Sequence, residues 1–166
     1  MARPDETLTP GDLELLFVRK LTALDATPYQ PPGLAPGSRY AWGELATAYT
    51  TGVEGQAVEH LGFVVEVDRM QGDGKRARHD RESVVSTVVV RYLYLLAAAA
   101  EASDARRAKR AGVDIIRTMT RRRDPDLAPV LSVTFQEARW QRQPESALME
   151  GAITFKVLHD LDTSTP

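Results

Sequence analysis

The sequence predicts an α+β fold in a single domain, residues 1–166, with a mostly antiparallel sheet and helices packed on one face. Three observations carry this. Two segments place apolar residues at helical spacing, four alternate apolar and polar residues as strands do, and their order is helix, strand, strand, helix, strand, strand. A chain of 166 residues is also long enough to bury one real core.

After an N-terminal extension over 1–8, the first helix opens at Thr9, whose side chain can cap it, with Pro10 in the first turn and Asp12 beside the free amides. Leu13, Leu16, Phe17, Leu21 and Leu24 form one apolar stripe, and the helix is expected to end near Asp25. Residues 27–43 form a proline-rich insert in which Pro28, Pro31, Pro32 and Pro36 stand among Tyr29, Tyr40 and Trp42. Such a segment is irregular but stiff, because its aromatic rings need somewhere to pack. Residues 44–59 read equally as a short helix or a loop.

Leu61, Phe63, Val65 and Val67 alternate as a strand, and a long, basic, glycine-containing hairpin loop is expected over 70–82. The β signal returns from Val84 to Leu96. Ser103 and Asp104 are the expected caps of a second helix running to about Arg122. Ala108, Ala111, Gly112, Ile115, Ile116 and Met119 line one side of it, and the small residues would let it lie close to the sheet. Arginines occupy much of the remainder, until Asp124-Pro-Asp stops the helix. Leu131, Val133 and Phe135, then Met149, Gly151, Ile153, Phe155 and Val157, form a closing hairpin around the Gln143-Pro-Glu-Ser turn. Residues 162–166 are left as a tail.

Net charge is −2, so no global pull toward nucleic acid or an anionic membrane follows. The absence of cysteine excludes disulfides, thiolate zinc sites and a cysteine nucleophile, and fits a reducing compartment. The polar start of the chain does not serve as a signal peptide, and the apolar run from Tyr92 to Ala100 is too short to span a bilayer, so no membrane association is expected.

No catalytic apparatus is legible, and neither a cofactor nor a metal is expected. His60, His79 and His159 lie in different elements without partners at ligand spacing, and read as surface or strand-edge residues. Gln71-Gly-Asp-Gly-Lys75 fails as a phosphate loop, because arginine follows the lysine and the next element is a strand. Two basic groups remain. Lys75, Arg76, Arg78 and Arg81 at the hairpin tip are candidates for facing a partner or DNA, against a plain solvated tip. Arg106, Arg107, Arg110 and Arg117 on the second helix are candidates for a subunit interface, against a solvated face.

The stretch Ser86-Thr-Val-Val-Val-Arg-Tyr-Leu-Tyr-Leu-Leu96, the helix opening at Ser103-Asp104, and the closing strands Val133-Thr-Phe-Gln-Glu-Ala-Arg-Trp140 and Glu150-Gly-Ala-Ile-Thr-Phe-Lys-Val157 together resemble the tail terminator proteins of long-tailed phages. The likeness is one of element order from Leu13 to Leu161. It implies a tail-terminator-like fold and a non-enzymatic structural protein of the virion, assembled in the host cytoplasm. It further implies a hexameric ring that caps the tail tube, contacts the tube protein and the head-tail connector protein, and offers non-specific contact to DNA in its lumen, with the basic tip facing either that lumen or the tube ring below. Other expectations the sequence leaves open are another neck or head-tail joining protein, a small ligand-binding domain or enzyme built around Tyr40, Trp42 and Trp140, and a nucleic-acid regulator using the arginine-rich helix.

Overall fold

The structure is a computed structural model that describes residues 7–30, 40–45, 60–78, 81–97, 100–122 and 124–162, with side chains for all of these but 75–78 and 162. In chain order the elements are α1 (Pro10–Thr22), β1 (Gly43–Glu44), β2 (Gly62–Arg78), β3 (Arg81–Leu95), α2 (Glu101–Met119), β4 (Ser132–Arg142) and β5 (Leu148–Asp162). Single 3-10 turns at Thr27–Tyr29 and Pro125–Leu127 follow the helices. The strands form one sheet in the order β1-β2-β3-β5-β4, antiparallel throughout except for the short β1–β2 pairing. This is the predicted α+β architecture.

The centre of the sheet is the β3–β5 pair, which runs without a register break from Arg81↔Asp162 to Leu95↔Leu148. The alternation of apolar residues fixes which side is buried: Val88, Val90, Tyr92, Ile153, Phe155 and Val157 are fully inaccessible. Phe17 of α1 meets Phe155 edge-to-face at 5.8 Å, and Tyr92 Oη donates to Ala108 O of α2 at 2.6 Å. Phe155 pairs with Val88, on the same side of β3 as Tyr92, so both helices cover one face. The opposite face carries Thr87, Val89, Arg91, Ala152, Thr154 and Lys156 at intermediate exposure.

Several expectations need correction. The predicted loop over 70–82 is a ribbon: β2 continues to Arg78 and β3 resumes at Arg81, because pairing with β3 at Gly72, Ala77 and Arg78 offsets the weak β preference of this glycine-containing stretch. A β-bulge between Val67 and Arg69 starts this ribbon. α2 begins at Glu101 with Ala100 as a cap that lacks a side-chain bond, and it ends at Met119. Asp104, expected as a cap, is buried one turn in, where its Oδ2 accepts from Ala97 N at 2.8 Å and ties the β3–α2 connection to the helix. The N-terminal extension takes part in the fold, since Leu8 is buried and its amide donates to Asp160 O at 2.9 Å. The capping box at Thr9 and Asp12 is present as predicted. Most of the proline-rich insert, and residues 46–59, lie outside the described residues.

Candidate interaction surface

α2 is held against the sheet by an aromatic cluster whose geometry depends on small residues. Tyr92 projects from β3 into a slot between Gly112 of α2 and Gly151 of β5; a Cβ at either glycine would lie 2.7 Å from its hydroxyl. That hydroxyl also accepts from Trp140 Nε1 at 2.8 Å, so one side chain joins β3, α2 and β4. Burial pushes its pKa well above the usual tyrosine value, and it stays a neutral donor. Trp42 packs edge-to-face on Tyr92 at 5.7 Å and on Tyr29 at 6.3 Å, while the Tyr29 hydroxyl donates to Asp114 of α2. Trp42 and Trp140 thus pack within this cluster.

This anchoring turns the other side of α2 outward. Arg106, Lys109, Arg110, Val113 and Arg117 are exposed along it, and Arg121 and Arg122 extend the stripe beyond its end. Arg107 lies 3.8 Å from the buried Asp104, and Arg117 lies 3.3 Å from Asp114 one turn back. Among the described residues no carboxylate meets Arg106, Lys109 or Arg110. Seven cations against three carboxylates give residues 101–122 a net charge of +4, leaving −6 on the rest of the chain. Guanidinium forks at this density suit carboxylates or phosphates presented by another molecule. The four arginines predicted as an interface therefore share an exposed helix face, two of them tied to internal acids.

The second predicted group does not form a describable site. The backbone of residues 75–78 lies in the ribbon of β2, but the side chains of Lys75, Arg76 and Arg78 fall outside the described residues. Arg81 is half-buried at the start of β3, opposite Asp162 of β5, and is no part of a free tip.

Two of the three histidines are buried, which corrects their expected surface placement. His60 is a clamp: its Nε2–H donates to Tyr29 O at 2.7 Å and its Nδ1 accepts from Leu95 N at 3.0 Å, the tautomer that the amide donor requires. Desolvation lowers its pKa to about 4, against a small opposing pull from Asp104. Nothing in its local sequence signals burial, since the rings around it, Tyr40 at 5.3 Å and Tyr94 at 4.6 Å, come from distant segments. His159 is wholly inaccessible and meets Ser86 Oγ at 2.8 Å, with its pKa lowered by burial. That distance would suit a nucleophile–base pair. Neither residue has any exposed surface, so the contact joins β3 to β5 inside the core and no substrate reaches it.

Past the end of α2, a groove of about 740 Å³ is lined by Met119, Arg121, Arg122, Asp124, Leu131 and Val133. Its floor is fixed by Lys20, which reaches Asp124 at 2.5 Å and Asp126 at 3.1 Å. No group of three or more acidic or histidine side chains suited to a metal occurs among the described residues. Among the described residues no helix is long and apolar enough to cross a membrane. No protein-family model matches the chain, and no curated protein is significantly similar to it in sequence.

Proposed function

We propose that this chain is a structural assembly subunit that acts in multiple copies, without catalysis, in the manner of the tail terminators of long-tailed phages. In that role a hexameric ring in the virion would cap the tail tube and join it to the head-side connector. The observation that carries the proposal is the outward face of α2, a helix anchored rigidly on its inner side and presenting Arg106, Lys109 and Arg110 with no described partner. A neighbouring subunit, tube protein or connector can supply the carboxylates for this face. The excess negative charge elsewhere on the chain makes a second copy a suitable source.

Sedimentation velocity with light scattering, on the protein alone and with a candidate tail-tube protein, tests the proposal. Closed rings or a tube-capping complex are expected. A strict monomer that ignores the tube at every concentration overturns it.

A further inference from the structure

The sheet has two edges of unlike character. At one, β4 presents an eleven-residue strand with no described strand beyond it, and its Phe135 and nearby Leu131 are 40% and 49% exposed. At the other, β1 pairs only with Gly62 and Phe63, and Glu14 Oε1 takes the Val67 amide at 2.9 Å. Beyond the bulge at Asp68, no described strand covers β2. Long open edges invite another strand, and a second copy of this chain always carries the matching one.

The register decides which edges match. Following the pairings across the sheet, Glu66, Val89, Thr154 and Glu137 form one row. Val64, Arg91, Ala152 and Arg139 form the next row, while Arg69, Thr87, Lys156 and Thr134 form the row on the other side. All lie on the face away from the helices. Because β2 and β4 run in opposite directions, β4 of one copy can add antiparallel to β2 of the next and continue the sheet. With the rows level, Glu137 would face Glu66, a like-charge clash. Shifting the incoming β4 by two residues one way leaves Glu66 opposite Thr134. Shifting it two residues the other way sets Arg139 against Glu66 and Glu137 against Arg69, with Asp68 as the extra residue of the bulge. Two opposite-charge pairs form together.

We propose that β4 of one copy adds over Glu137–Trp140 to the outer edge of β2 over Val65–Arg69 of the next, head to tail, in this two-residue-staggered register, with Gln141 and Arg142 turning away from the Phe63 position that β1 holds. The inference rests on the assembly reading above and adds a second contact to that of the α2 face. Each of the four side chains is exposed and paired within its own chain or unburdened by burial: Glu66 with Arg91, and Glu137 with Arg139 at 3.2 Å. Among these four side chains assembly exchanges one set of surface pairs for another. The Glu14 carboxylate releases the Val67 amide to the incoming strand. The contact is heterologous, the kind that closes into a ring when its rotation does. The alternative two-fold pairing of β4 with its own copy would set two arginine-rich α2 helices side by side, since α2 lies over β4 and β5.

The natural lack of cysteine makes the test clean. Facing residues of an antiparallel pair have Cα atoms about 4.5–5.5 Å apart, within the span of about 4.4–6.8 Å that a disulfide bridges. Arg69→Cys and Glu137→Cys are made separately and together at these exposed sites, with circular dichroism checking the fold, and oxidised gently. A mixture of the single variants is expected to give a crosslinked dimer, each single variant alone none, and the double variant a ladder of multiples. Crosslinking of Ala138→Cys with itself would show two-fold β4 pairing and overturn the proposal. So would an assembled protein, by light scattering, that forms no 69–137 crosslink, although the assembly reading would survive. A monomer at all concentrations overturns both.

Discussion

Gly151→Ala is the substitution whose cost follows most directly from the packing. In an ordinary strand the change would help, by about 0.5–1 kcal/mol, because alanine loses less backbone entropy on folding. Here the new Cβ would lie 2.7 Å from Tyr92 Oη and closer still to the ring. The ring cannot withdraw, for its hydroxyl is held by Ala108 O at 2.6 Å and by Trp140 Nε1 at 2.8 Å, and Gly112 closes the far side. Overpacking of this kind costs about 1–3 kcal/mol. Displacing the hydroxyl adds about 1 kcal/mol for each of two hydrogen bonds. The net expectation is a loss of about 2–4 kcal/mol after the entropic gain. Urea unfolding followed by tryptophan fluorescence measures it, since Trp42 and Trp140 both contact Tyr92. In a Tyr92→Leu background the same glycine change should cost little, a coupling of about 2 kcal/mol or more. A cost below 1 kcal/mol in the wild type, or an equal cost in both backgrounds, would refute the slot (about one hydrogen bond's worth being the threshold).

Other expectations can be checked on the same footing. His60 binds its proton only near pH 4 in the folded chain, whereas the unfolded chain takes it up near the usual value of 6.5. Its contribution is therefore complete above pH 6.5 and is lost as pH falls toward 4, by roughly 3 kcal/mol at most. The slope of stability against pH in that window should flatten in His60→Gln, and an unchanged slope would contradict the clamp. Lys20→Met, which strands the Asp124 carboxylate beside the groove, should cost about 1–3 kcal/mol in denaturant titration. Thr9→Ala should cost about 1 kcal/mol through loss of the α1 cap. Arg106→Glu with Arg110→Glu should leave thermal stability within about 0.5 kcal/mol of wild type, as exposed sites do, while abolishing higher-order species in sedimentation.

Elements whose signals are local are legible in the residues alone. The Leu13, Phe17, Leu21 stripe and the Thr9–Asp12 box specify α1, because helix faces and caps are built from residues three or four apart. The small residues of α2 and the alternation along β3 and β5 likewise reported the buried face, and the arginines that these patterns exclude had to point outward. Everything set by pairing between distant segments emerges only once the chain is folded. In the ribbon of β2 and β3, glycine and charge argue for a loop until a partner strand offers hydrogen bonds. His60 and His159 gave no sign of burial, since their environments are assembled from other strands and turns. Gly112 and Gly151 stand thirty-nine residues apart, yet one tyrosine occupies the space both leave. The charged rows across the sheet likewise exist only in the register, because alternation says which side a residue faces and never which residue stands opposite.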